Sequence, residues 1–237
     1  MGAAVVVLAA GSGSRVGAEV NKILLDVAGV PLIVHSLRAA LNTPGVSRVV
    51  LVARPGEEPE LSEAVTPHLA EREVSLVAGG DSRHASEWQA LQVLASDIDA
   101  GRIDTVAIHD GARPLATPAL FTATIDTAQR YGGAVPMVTI SSVLRRDGGA
   151  APSRLGAVQT PQAFRAAPLL AAYRQASADG FEGTDTASCL ERYADVAIHA
   201  VPAPATNLKV TFAEDVATAE QLIRAGDAGS GSGQRPG

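Results

Sequence analysis

Two cations close behind a glycine-rich turn mark the first place where this chain could handle an anion. Arg15 and Lys22 follow the run Ala9-Ala10-Gly11-Ser12-Gly13-Ser14, which continues directly from an apolar stretch. Small residues let backbone N–H groups approach a phosphate closely, and the two side chains add positive charge to the same loop. The run is not a P-loop, because no Gly-Lys-Ser/Thr follows. It is not the dinucleotide fingerprint either: Val16 stands at the third glycine position, and Ala53-Arg54 offers no acidic residue for a ribose. Ala9 to Gly13 are therefore expected to cradle phosphate, with a bare tight turn as the structural alternative.

Further along, Gly79-Gly80-Asp81-Ser82-Arg83 leads toward Ser86. This junction is either a tight turn or a place where a base or ribose passes close to backbone, with Ser86 donating a hydrogen bond. His109-Asp110-Gly111-Ala112-Arg113-Pro114 places an aspartate at a strand end, where a carboxylate can hold Mg²⁺ beside phosphates. Arg113 would orient Asp110 or meet an anion; the alternative is an Asp-Gly turn with a surface arginine. His109 is expected to be a satisfied strand-end side chain. The other histidines are dispersed and lack zinc-site spacing. Asp185 in Thr184-Asp185-Thr186 is good helix-capping chemistry. Lys209 in Asn207-Leu208-Lys209-Val210-Thr211 is either a solvated strand end or a phosphate contact.

These residues need elements to carry them. Ala4–Ala9, Arg48–Ala53, Val74–Ala78, Thr105–His109 and Ala134–Val138 are continuous apolar runs of strand length, as a sheet covered on both faces requires. Helical patterns fall at Pro31–Leu41, Asp81–Leu94 and Pro118–Tyr131, the last two with capping-type residues (Asp81, Thr117) at their starts. Helices resume at Arg165–Ala178, Thr184–Tyr193 and Ala213–Ala225, with strands expected at Val196–Val201 and Asn207–Val210. This alternation implies an α/β domain with a mainly parallel sheet, whose C-terminal strand ends share one ligand-binding edge. The pattern breaks at Thr139–Gln159, a polar stretch with a hairpin signal at Asp147-Gly148. It is expected to be a projecting β-arm, with a long surface loop as the alternative. An arm of two strands cannot bury both faces by itself, so a partner chain is expected. The organisation expected is one domain over 1–226, an arm at about 139–159, and a disordered Gly/Ser/Pro-rich tail over 227–237.

Composition sets the outer limits. The chain has 237 residues, net charge −6 and 3% aromatic residues. A basic surplus and stacking aromatics are both missing, so no nucleic-acid partner is expected, although a locally basic pocket for a small anion remains open. Cys189 is the single cysteine, so no intrachain disulfide can form. No apolar run approaches a membrane span, and Met1–Ala10 lacks the positive leading segment of a signal peptide, so a cytoplasmic location is expected.

Taken together, the motifs Leu8–Arg15 with Lys22, Gly79-Gly80-Asp81, HDGARP from His109, Gln159-Thr160-Pro161-Gln162-Ala163-Phe164, Thr184-Asp185 and Asn207–Thr211 resemble the 2-C-methyl-D-erythritol 4-phosphate cytidylyltransferase family. Order and spacing match from residue 4 to about 225. The resemblance implies a Rossmann-like nucleotidyltransferase fold, Mg²⁺ dependence, a homodimer with interlocking arms, and transfer of CMP from CTP to the polyol phosphate with release of pyrophosphate. It implies Arg15 and Lys22 as catalytic cations, and Ala9, Ala10, Gly11, Ser12, Gly13, Gly80, Asp81 and Ser86 as nucleotide contacts. Asp110 would be the metal ligand and, with Gly111, Arg113, Thr160, Thr184 and Lys209, would lie near the acceptor.

The arm departs from the family pattern. Ser141-Ser142-Val143-Leu144 replaces an Asp-Thr, apolar, Lys run, so Ser142 is assigned the hydroxyl role. Pro152 falls where the arm arginine is usual, and Arg154 takes that role on a two-residue deletion. Asn21 stands where a proline commonly precedes the lysine. Two other functions stay open: a cytidylyltransferase for another polyol phosphate such as ribitol 5-phosphate, and a non-catalytic nucleotide sensor.

Overall fold

Val5, Val6 and Val7 have no accessible surface, because the strand carrying them is covered on both faces. This strand, β1 (Gly2–Leu8), pairs in parallel with β4 (Val46–Ala53) on one side and β6 (Ile103–Asp110) on the other. Ala3, Val5 and Val7 join a core shared with α1 (Leu32–Leu41) and α4 (Pro118–Tyr131), where Leu37 and Phe121 are also fully buried. Ala4 and Val6 face the opposite core, built from α3 (Arg83–Asp99), α5 (Ala166–Asp179) and α6 (Thr186–Tyr193). The two-residue side-chain period of a strand produces this division. The computed structural model describes residues 2–11, 21–140 and 155–230, with side chains through 226.

The sheet has eight strands. Its order is β10 (Ala197–Pro202), β7 (Gly132–Ile140), β9 (Gln162–Arg165), β6, β1, β4 and β5 (Ser75–Ala78), with β8 (Leu155–Val158) paired to β7. The β6–β1–β4–β5 run is parallel, as is the β7–β10 pair. The fold is thus the mostly parallel α/β architecture expected. The antiparallel placement of β9 between β6 and β7 was not expected. A small hairpin, β2 (Asp26–Val27) with β3 (Val30–Pro31), and helix α2 (Glu58–Val65) also had no counterpart in the sequence reading.

Several boundaries need correction. Asn207–Val210 forms no strand. The Asn207 side chain instead donates to Gln159 Oε1 at 2.8 Å and to the Thr160 carbonyl at 3.0 Å, and Val210 N–H bonds the Ala112 carbonyl, so the segment is sewn across loops. Ser82, not Asp81, caps α3, accepting from Ala85 N–H at 3.1 Å. Asp185 caps α6 in a reciprocal box with Ser188, so that helix begins at Thr186. Helix α7 (Ala213–Ser230) runs past Asp227, where the tail was expected to begin. At the two ends of the stretch expected as an arm, β7 and β8 pair antiparallel from Met137–Val158 to Ile140–Leu155, and residues 141–154 between them lie outside the described residues. The hairpin signal at Asp147-Gly148 lies outside the described residues.

Candidate active site

A cleft of about 720 Å³ opens at the C-terminal ends of β1, β4, β5 and β6. Strand order reverses about β1 here, and parallel α/β sheets characteristically leave such a crevice at that point. Ala9, Ala10 and Gly11 form one wall directly after β1; Gly80, Asp81 and Ser86 form another at the start of α3. Asp110 and Ala112 line the cleft after β6, and Lys209 and Thr211 reach it from the loop before α7. Lys22, Arg54, Arg83 and Lys209 face Asp81 and Asp110, so the described lining is net positive inside a chain of net −6. The fixed charges therefore favour an anion.

Asp110 is the electrostatic centre. Arg83 donates a hydrogen bond to its Oδ1, Lys209 Nζ lies 2.8 Å from its Oδ2, and Arg113 Nε lies 3.8 Å from the same oxygen. Burial alone would raise this carboxyl, but Arg83 and then Lys209 outweigh it and hold Asp110 well below the usual carboxylate range. On its other side Arg83 meets Glu87, whose own carboxyl burial pushes up. Arg113 is a frame member rather than part of the wall, and it donates to the Asn207 carbonyl at 2.8 Å.

Lys22 is presented by a short 3-10 helix, Lys22–Leu24, anchored through buried Ile23. Asn21 caps it, accepting from Ile23 N–H at 3.4 Å, and its amide donates to Glu57 Oε2 at 2.6 Å. Glu57 also takes the Arg54 guanidinium at 3.2 Å. The residue that departs from the usual proline thus ties the lysine segment to the loop after β4.

Ser86 is largely occupied with Gly80: its hydroxyl accepts from Gly80 N–H at 3.1 Å and donates to Gly80 O at 3.3 Å. A Cβ on Gly80 would lie 2.5 Å from the Ala85 methyl, so the turn needs glycine for its tightness. The tight-turn and ligand-facing readings hold together, since both residues line the cleft. Gly111 is buried behind the wall, where its Cβ would lie 2.9 Å from the Leu8 carbonyl.

His109 is a satisfied strand-end residue, as expected. Thr160 Oγ1 lies 3.1 Å from its Nδ1 and the Arg113 carbonyl 3.3 Å from its Nε2. Burial pushes the imidazole down to about 4. In the unfolded chain it would take a proton near pH 6.5, so stability should fall as pH drops from 6.5 toward 4 and then level off. Its share is about 3 kcal/mol. Urea denaturation across that range should show a shallower decline in His109→Gln than in the native chain; equal slopes would refute the assignment.

The expected residues divide by location. Ala9, Ala10, Gly11, Lys22, Gly80, Asp81, Ser86, Asp110 and Lys209 are brought together. Gly111, Arg113 and Thr160 sit behind the wall; Thr160 is buried, its hydroxyl accepting from Asp110 N–H at 3.0 Å. Thr184 is exposed and does not line the cleft, because the following Asp185 turns the chain into α6. Ser12, Gly13, Arg15, Ser142 and Arg154 lie outside the described residues. Arg83 and Arg54 were not singled out from sequence, yet both line the cleft. The i,i+4 spacing of Arg83 and Glu87 at a helix start was the available signal for the first.

A family model described as 2-C-methyl-D-erythritol 4-phosphate cytidylyltransferase matches residues 3–225. The chain is 40% identical over 229 residues to a protein of that name from Cereibacter sphaeroides, covering 94% of this chain and 97% of the relative. It is 33% identical to one from Bacillus velezensis, covering 93% and 95%. A solved structure of that name from Thermus thermophilus superposes with TM-score 0.72 at 28% identity, covering 94% of this chain and 100% of the other. A synthase structure from Anaerococcus prevotii, at 22% identity and TM-score 0.78 over 94% of this chain and 96% of the other, shares the fold.

Proposed function

The chain belongs to the 2-C-methyl-D-erythritol 4-phosphate cytidylyltransferase family, and on that premise we propose that its cation-lined cleft is where CMP passes from CTP to 2-C-methyl-D-erythritol 4-phosphate. The reaction yields 4-diphosphocytidyl-2-C-methyl-D-erythritol and pyrophosphate, a step of non-mevalonate isoprenoid synthesis. The observation carrying the site assignment is the gathering of Lys22, Arg83 and Lys209 around the crevice at the strand-order reversal.

A phosphate oxygen of the acceptor attacks the α-phosphorus of CTP in line. A new P–O–P bond forms, the α–β bridge breaks, and its electron pair leaves with pyrophosphate. Both reactants are anions, so positioning and charge neutralisation carry the rate. Ala9 to Gly13 cradle the triphosphate, and Lys22 with Arg15 offsets the charge at the α-phosphate. Lys209 and Asp110 stand on the acceptor side. No covalent enzyme intermediate is needed.

Mg²⁺ belongs to this reading. Among the described residues no three His, Cys, Asp or Glu side chains cluster as ligands. Asp81 and Asp110 are the carboxylates of the described lining, so an ion here would take most of its ligands from phosphate oxygens and water, which is ordinary Mg²⁺ chemistry, with Asp110, held by Arg83 and Lys209, as the proposed protein ligand. When bound, the ion would neutralise charge on the departing pyrophosphate.

A homodimer is also proposed. Ile140 and Val158 are 41% and 50% exposed on opposite faces of the β7–β8 ribbon, and a second copy would cover them. No helix among the described residues is long and apolar enough to cross a membrane. We place the enzyme in the cytoplasm.

The test is pyrophosphate release from CTP with each acceptor in parallel. Release with 2-C-methyl-D-erythritol 4-phosphate, absent with ribitol 5-phosphate, abolished by EDTA and restored by Mg²⁺, is the expected result. Release with ribitol 5-phosphate alone would overturn the acceptor assignment, and CTP binding without turnover would favour a sensor.

A further inference from the structure

Glu87 is a carboxylate with no accessible surface, at the inner end of the cleft's charge network. A carboxylate removed from water is kept only where partners hold it. Here they come from three helices. Thr186 at the start of α6 donates to Glu87 Oε1 at 2.9 Å, and the Tyr173 hydroxyl on α5 donates to Oε2. One turn back on α3, Arg83 Nε lies 2.9 Å from Oε1 as a charge contact, off the line of a hydrogen bond. The other end of the same guanidinium holds Asp110, which holds Lys209.

Arg83 therefore lies between two carboxylates, one in the core and one on the cleft wall. An arginine with only the outer carboxylate would be free to turn toward a bound anion. With Glu87 behind it, the plane and reach of the guanidinium are fixed before any ligand arrives. Glu87 has no route to the substrate itself: it is sealed beneath Arg83 and absent from the cleft lining.

We propose that Glu87 is a positioning residue for the transfer reaction: braced by Tyr173 and Thr186, it fixes Arg83 and so sets where Asp110 and Lys209 present their charges. This rests on the cytidylyl-transfer reading of the cleft. It has a consequence that a purely structural role lacks. Glu87→Gln keeps side-chain volume but puts an amide N–H₂ where Arg83, Tyr173 and Thr186 need acceptor oxygens. The cations lining the cleft stay, so CTP should bind no more weakly, yet the reacting groups lose their alignment.

The experiment measures kcat and KM for CTP in the native full-length enzyme, in Glu87→Gln and in Thr186→Val. Leu94→Ala serves as a stability control on the same helix, buried but away from the network. Glu87→Gln is expected to lower kcat by about tenfold, the scale typical of lost outer partners, with KM for CTP unchanged or lower. Thr186→Val, which removes one donor and leaves Glu87 in place, should lower kcat about threefold with the same KM pattern. Leu94→Ala should lose melting temperature while keeping kcat per folded molecule. A kcat within twofold of native in Glu87→Gln would overturn the proposal, as would a KM for CTP rising in step with the loss, or an equal kcat loss in Leu94→Ala. If Glu87→Gln does not fold, Thr186→Val decides by the same split. A native enzyme releasing no pyrophosphate would remove both the transfer reading and this inference; an active native enzyme with unchanged variants removes this inference alone.

Discussion

Lys22→Ala and Arg15→Ala should each lower kcat by about 10²–10³ while leaving the melting temperature of the native enzyme in place. The size follows from what a preorganised charge contributes where negative charge crowds in a transition state, about 3–4 kcal/mol. Fold retention follows from how the Lys22 segment is held. Buried Ile23 and the Asn21–Glu57 hydrogen bond anchor the 3-10 helix. Steady-state pyrophosphate release alongside thermal unfolding separates the two quantities. An unchanged kcat in either variant would strip that residue of its role, and a collapsed melting temperature would show that the segment depends on the charge.

Asp110→Asn should be nearly as damaging to the rate, at least ~10²-fold, and unlike Lys22→Ala it should also cost stability. Asparagine keeps the shape but leaves Arg83, Lys209 and Arg113 gathered about a neutral group whose side chain is only 9% exposed. Removing one partner of such a network costs about 3 kcal/mol. Because its neighbours hold the Asp110 carboxyl below the usual range, its stabilisation is present above the unfolded-state value and is lost as pH falls below it. Urea titrations should therefore show native and Asp110→Asn curves well apart at pH 7 and beginning to converge only as pH falls below about 3.8. A variant as stable as the native chain at pH 7 would mean the three cations do not rely on this carboxylate.

The main strands were legible because they are buried on both faces, and unbroken apolar runs such as Val5–Val7 and Val50–Val52 are visible without any partner in view. The antiparallel β9 was not. Gln162–Arg165 is four residues long, and its place between β6 and β7 is decided by long-range pairing that local composition does not encode. Asn207–Val210 misled for the opposite reason. Its apolar residues suit a strand, but Asn207 finds side-chain and loop partners that replace a ladder. Within the site, residues that follow strand ends directly were readable, since the C-terminal edge of a parallel sheet is a geometric rule. Arg83 escaped because the i,i+4 pair with Glu87 reads as an ordinary helix-surface pair, and its importance comes from Asp110 meeting it from β6, a convergence that exists only after folding.

The alternating faces of β1 constrain how this protein can change its length. Ala3, Val5 and Val7 fill one core and Ala4 and Val6 the other, and the strand runs without interruption into Ala9–Gly11. Inserting or deleting one residue within β1 would exchange the two sets and turn the following turn by half a pleat. Only changes in steps of two could keep both cores, and each step would shift the turn by about 7 Å along the strand axis. Such indels are therefore closed to this strand during divergence, and variation in length should be confined to the loops. β1 is in this sense a ruler, intolerant of frameshift, with the Ala9–Gly11 turn as its end mark.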